Sequence, residues 1–149
     1  TRTTGTGSLA EGINAGGLEI RYQQLLRQIQ AVNPNFQAPA TIGPPGAGRS
    51  TGEVRYLENV LQARQQYPNQ PQRMEEHHIT PLYLGGARTS PTVPIDAAQH
   101  EVITQQMRQQ MPFGQQPPSP VQVQQFLQDF YSRNPLPPSI MQQYFPKRP

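Results

Sequence analysis

The chain has no cysteine among its 149 residues. A disulfide framework, a thiolate metal site and cysteine nucleophilic catalysis are therefore all excluded. Histidine is scarce as well, with three residues in all. Any metal must be held by those imidazoles, by carboxylates, by asparagine or by water. No apolar run approaches the roughly 18 residues that a membrane-spanning helix needs, and nothing has the layout of a secretory leader. The hydrophobic share is only 34%, so the core must be compact and local.

Proline (18 residues) and glycine (12) are plentiful instead, which implies long irregular connections between the regular elements. A length of 149 residues suits one domain with one site. The net charge of +3 and a pI near 9.6 are compatible with a polyanionic partner, at a lower density than a dedicated DNA-coating protein shows. The chain opens Thr1-Arg2-Thr3-Thr4 without methionine, and residues 1–17 are rich in Gly, Ser and Thr. They are read as a flexible lead, the remnant of a linker in a longer polypeptide.

From Leu18 the pattern turns helical. Leu18, Tyr22, Leu25, Leu26, Ile29 and Val32 predict a first amphipathic helix, ended by Asn33-Pro34. A proline-rich loop follows, with Phe36 and Ile42 as its candidate anchors. Ser50-Thr51 with Glu53 resembles a capping box and starts a second helix, whose stripe is Val54, Leu57, Val60 and Leu61. Ile79 with Leu82, Tyr83 and Leu84 suggests a short strand before Gly85-Gly86, and residues 87–95 a second extended run that could pair with it. Asp96 is a good N-cap for a third helix carrying Ala97, His100, Ile103 and Met107 on one face. Val121, Val123, Phe126, Leu127 and Phe130 predict a fourth, and a Pro-rich tail, residues 134–149, closes the chain.

The chemistry concentrates in "EEHHITPLYLGG", residues 75–86. Two of the three histidines stand side by side there, and the third, His100, lies in the predicted helix beyond the Gly-Gly turn. A hairpin packed on that helix would bring His77, His78 and His100 together. Adjacent strand residues point to opposite faces, so one imidazole of the pair can hold a divalent ion while its neighbour takes a proton from water. Such an arrangement suits a single-metal phosphodiesterase.

The segment from Glu75 to Thr104, about 30 residues, resembles the His-Me finger (HNH) nuclease motif of colicin-type DNases and of the C-terminal toxin domains of Rhs and other polymorphic bacterial toxins. The likeness is carried by the His-His pair, Pro81 three residues after His78, Gly85-Gly86, and His100 in the helix after "PIDAAQ". It implies a small, mainly helical α+β domain over residues 18–149, built around a ββα-metal finger at residues 75–110. By that resemblance His78 would be the general base, with His77 and His100 as metal ligands. It also implies an endonuclease, DNA before RNA, released from a secreted antibacterial toxin into the cytoplasm of a target bacterium and neutralised by an immunity protein.

Two positions depart from the family pattern. No asparagine stands between Gly86 and His100 to orient the base, and Thr104 occupies the place of a second helix histidine. Two imidazoles, completed by water, phosphate or a carboxylate of Glu76, Asp96 or Glu101, would favour Mg2+ with Mn2+ or Zn2+ as alternatives. Arg73, Arg88 and Arg108 are the candidate phosphate contacts. Three other readings compete. "HEVIT" at residues 100–104 is a zincin HExxH without its second histidine, which leaves a protease one ligand short. A degenerate finger would serve as a binding module. A different enzyme could use a cleft near Tyr22 and Tyr56.

Overall fold

The computed structural model describes residues 15–44, 46–112, 114 and 118–146. Among them the order is α1 (Ala15–Val32), α2 (Thr51–Gln66), β1 (Met74–His78), a single 3-10 turn (Leu82–Leu84), β2 (Thr92–Asp96), α3 (Ala97–Gln110), α4 (Pro120–Arg133) and α5 (Pro138–Tyr144). The architecture is α+β and mainly helical, with one two-stranded antiparallel sheet. No described helix is long and apolar enough to cross a membrane.

Two apolar cores result. In the first, the stripe of α1 (Leu18, Tyr22, Leu25, Ile29) meets Val54, Leu57 and Val60 of α2, and Phe36 closes the end. The capping box of α2 is complete: Ser50 accepts from the Glu53 amide, and the Glu53 carboxylate accepts from the Ser50 amide at 2.9 Å. The expected lead overlaps α1 by three residues, Ala15 to Gly17, and the remainder of it, residues 1–14, lies outside the described residues. Tyr22 and Tyr56 are buried at 1% and 2% exposure. Their side chains belong to this packing, while residues beside them, Arg21 and Leu25 of α1 and Arg55 and Glu58 of α2, line an open groove, so a cleft near Tyr22 and Tyr56 is present as expected.

The second core joins Val93 and Ile95 of β2, Ile103 and Met107 of α3, and Val123, Leu127, Phe130 and Tyr131 of α4, with Leu136 and Phe145 beneath. Val121, expected in the apolar stripe of α4, is 67% exposed. The buried face of α4 runs through Val123, Leu127, Phe130 and Tyr131, and Val121 lies off it. The expected Pro-rich tail contains α5, because Pro138 stands in its first turn, where a missing N–H costs nothing.

A buried polar seam ties the two cores. Arg64 of α2 holds Asp96 through Nε at 3.0 and 3.1 Å and through Nη2 at 2.9 Å. Its remaining donors reach the carbonyls of Gln70 and Pro71 at 2.8 and 2.6 Å. Asn33 gives Asp96 another hydrogen bond at 2.6 Å, and Tyr56 donates to Gln99 at 2.7 Å. Asp96 also caps α3 through the amides of Ala98 and Gln99. Such a pair, satisfied on every side, fixes how α2, β2 and α3 meet; removing one partner would strand a buried charge.

The first strand differs from expectation. It comprises Met74 to His78, earlier than the apolar Leu82-Tyr83-Leu84 run that suggested it. Pro81 starts a tight turn closed by Leu84 N–H to Pro81 O at 3.0 Å and Gly85 N–H to Leu82 O at 3.0 Å. Gly85 is left-handed, with φ 99°, and a Cβ on Gly86 would sit 2.0 Å from the Thr80 carbonyl oxygen. Both glycines are therefore required by the turn itself. The strands pair in a register that sets His77 opposite Val93 and His78 opposite Thr92.

Candidate active site

Alternation along β1 sends the adjacent histidines to different surroundings. His77 points inward and is 5% exposed, while His78 is half-buried on the other face. Because Asp96 starts α3 immediately after β2, His100 falls one turn into the helix and beside the hairpin. The rings of His77 and His100 meet edge to face, with centroids 5.2 Å apart. His77, His78 and His100 all line one open cavity of about 190 Å³, together with Glu76, Pro81, Leu82, Tyr83, Thr104 and Arg108. The sequence expectation that these three histidines would come together is met in space.

Each of the two facing imidazoles has one nitrogen engaged by the protein. Nδ1 of His100 lies 2.9 Å from Glu75 Oε1. Partial burial works against the ionised Glu75, yet the hydrogen bonds from His100 and Arg73 outweigh it and hold the pKa below the ordinary carboxylate value. An ionised Glu75 can only accept, so His100 donates from Nδ1, and a neutral His100 then carries its lone pair on Nε2. Nε2 of His77 lies 2.8 Å from the Tyr131 hydroxyl, which lies 2.8 Å from the Ile79 carbonyl oxygen. Burial, with the nearby His100 and His78 adding to it, lowers the His77 pKa to about 3. His77 is thus neutral at neutral pH.

On the other strand face, His78 Nε2 faces the Arg88 carbonyl oxygen at 3.4 Å. A carbonyl only accepts, so this contact favours the Nε2–H tautomer and leaves Nδ1 able to take a proton. No asparagine is involved; a backbone carbonyl from the loop fills that position beside the base candidate. Tyr83 anchors the loop from the opposite end by donating to the Met111 carbonyl at 2.8 Å, at the end of α3.

The candidate arginines diverge. Arg108, in the last turn of α3, lines the cavity. Arg73 forks onto Glu75 at 3.1 and 2.8 Å, outside the cavity wall. Arg88 has an exposed side chain and meets the site through its backbone. Among the carboxylates considered for a metal, Asp96 is fully buried and taken up by Arg64, Asn33 and two amides, so it does not serve the cavity. Glu101 accepts from Gln105 at 2.6 Å. Glu76 does line the cavity, where Thr92 donates to it at 2.7 Å.

Two residues that the sequence reading did not single out complete the site, Glu75 and Tyr131. Glu75 shares the strand face of His77 by the i, i+2 rule, a signal present in the sequence. Tyr131 lies 54 positions from His77 and had none. Among the described residues, no set of three or more His, Cys, Asp or Glu side chains forms a ready metal cage. Two imidazoles, each oriented by a partner on its other nitrogen, are the donors at hand; this donor chemistry fits a divalent ion completed by water and phosphate oxygens.

A larger groove of about 1400 Å³ runs between the α1–α2 pair and the α4–α5 end, and no histidine lines it. Size alone would favour it, but the three histidines converge in the smaller cavity. Compared with known protein families, curated proteins and solved structures, the chain matches none.

Proposed function

We propose that this protein is a metal-dependent endonuclease that hydrolyses nucleic-acid phosphodiester bonds, DNA ahead of RNA. The observation that carries the reading is the convergence of all three histidines of the chain on one cavity, with two of them only 5.2 Å apart between ring centres. His77 and His100 would hold the ion, Mg2+ first, with Mn2+ and Zn2+ as alternatives. When bound, a divalent ion would supply positive charge that stabilises the negative charge developing at the phosphate. His78 accepts the proton of the attacking water at Nδ1, while the Arg88 carbonyl holds its other nitrogen. The new bond joins the water oxygen to phosphorus, and the bond to the sugar oxygen breaks; that oxygen takes a proton from solvent water, and the His78 imidazolium returns its proton to solvent. Arg108 receives the phosphate backbone at the cavity wall.

The biological setting rests on the likeness of residues 75–104 to the His-Me finger. In that reading the finger is the β1–β2 hairpin with α3, and the chain is the C-terminal toxin domain of a secreted antibacterial polymorphic toxin. It acts in the cytoplasm of a target bacterium and is restrained by a cognate immunity protein.

A second reading has its own support. Thr104 lines the cavity where a third imidazole would strengthen metal binding, which favours a finger that binds without cutting. Incubating the protein with plasmid DNA and with RNA, in Mg2+, Mn2+, Zn2+ or EDTA, separates the two. Metal-dependent cleavage that weakens with added salt supports the nuclease; intact nucleic acid in every condition sinks it in favour of the binding module.

A further inference from the structure

We infer that Tyr131 is a positioning residue that sets His77 as the Nε2–H tautomer, so that Nδ1 is the nitrogen His77 offers to a cation. The inference rests on the proposed role of His77 as a metal ligand and specifies the atom and the residue that selects it.

The argument is proton counting. The Tyr131 hydroxyl has one proton and two close neighbours, His77 Nε2 and the Ile79 carbonyl oxygen, each at 2.8 Å. Were that proton given to His77, two oxygens would face each other at 2.8 Å with no hydrogen between them, a repulsive contact inside a buried core. Given to Ile79, the proton satisfies the carbonyl and leaves the phenol oxygen to accept. His77 Nε2 must then carry a hydrogen and donate it. A neutral imidazole has only one such hydrogen, and no described residue hydrogen-bonds Nδ1 of His77. That nitrogen keeps its lone pair.

Packing alone does not call for the hydroxyl. Tyr131 is fully buried against the rings of Phe130 and Phe145, with centroids 5.4 and 5.2 Å away. A phenylalanine would make the same ring contacts. Replacing a hydrogen-bonded buried pair by apolar groups of the same shape is often nearly neutral, so a stable core does not require tyrosine beside histidine. What the oxygen adds is a fixed tautomer and a fixed ring orientation. Glu75 has the corresponding relation to His100, through the opposite ring nitrogen.

The test uses the whole chain in wild-type and Tyr131→Phe forms, with His77→Gln to assign the resonance. Long-range proton–nitrogen NMR on metal-free, histidine-labelled protein at neutral pH reads the tautomer directly. His77 should show a protonated Nε2 and an unprotonated Nδ1, and Tyr131→Phe should mix the two tautomers. Calorimetric titration with Mn2+ and with Zn2+ should show the variant binding about 10- to 100-fold more weakly, while its melting temperature falls by several degrees because His77 Nε2 and the Ile79 carbonyl lose their shared partner. A wild-type His77 protonated at Nδ1 overturns the inference, and this arm needs no variant to fold. Unchanged tautomer and unchanged metal affinity in Tyr131→Phe overturn it equally. Should the tautomer be as expected while the wild type binds neither metal, the metal reading of the site fails and the assignment of Tyr131 to the tautomer stands.

Discussion

The α1–α2 pair and the block formed by the hairpin, α3 and α4 are both built on buried apolar stripes, yet they treat polar groups differently. In the α1–α2 pair, Tyr22 lies under the Arg49 guanidinium, which is 3.8 Å from its ring centre, and Glu53 caps its own helix. Those polar groups tie α1, α2 and the loop between them to one another. In the second block, a neutral histidine and a tyrosine are buried together beside an open cavity. Burying such groups carries a desolvation cost that apolar side chains of similar shape avoid. The contrast separates a half that holds the fold from a half where part of the interior is given over to orienting side chains at a surface.

Substitutions can break that contrast. The largest expected effect is on the proposed nuclease activity: His100→Ala should lower it by about a hundredfold or more, since the charge stabilisation a bound ion would supply amounts to several kcal/mol. His100 is half-exposed, so the melting temperature should barely move. Activity assays paired with thermal melts check both halves of that statement. Arg64→Ala should do the opposite. It strands Asp96, which is 0% exposed, and should cost about 3–5 kcal/mol of stability in chemical denaturation. Leu57→Ala in the α1–α2 core should cost roughly 2–5 kcal/mol and leave the activity of the folded fraction unchanged. A clear fall in the specific activity of that fraction would blur the division between the two halves.

The pH dependence sharpens the comparison, because the sign follows from His77. Its pKa of about 3 in the folded state lies below the free value of 6.5, so the unfolded chain binds a proton that the folded chain refuses. The stability present above pH 6.5 should be lost progressively as pH falls towards 3. His77→Gln should remove this component of the slope, measured as unfolding free energy against pH. The smallest effect belongs to the cap: Ser50→Ala should cost about 1 kcal/mol, read from the same denaturation curves, with cleavage unaltered.

Much of the frame was legible because it depends on local rules. The stripes of α1 and α2, the Ser50–Glu53 box and the Asp96 cap all follow from spacing within a few residues. The opposite orientation of His77 and His78 follows from strand alternation alone. The strand boundaries were not legible. Leu82-Tyr83-Leu84 has the stronger apolar signal, but Pro81 and the glycines bend it into a turn, and Glu75-Glu76 pairs only because β2 lies opposite. Tyr131 and the Arg64–Asp96 pair were invisible for a different reason. They join positions 54 and 32 residues apart, and no periodicity reports which helix will lie against which strand.

The central claim is that His78 takes a proton from water at a metal-dependent site. The most direct test compares wild type with His78→Ala on plasmid DNA, in Mg2+ and in EDTA, at equal folded concentration. The account predicts cleavage by the wild type only with metal, slower by about 10²–10⁴-fold in the variant. Equal cleavage by the two proteins would contradict it.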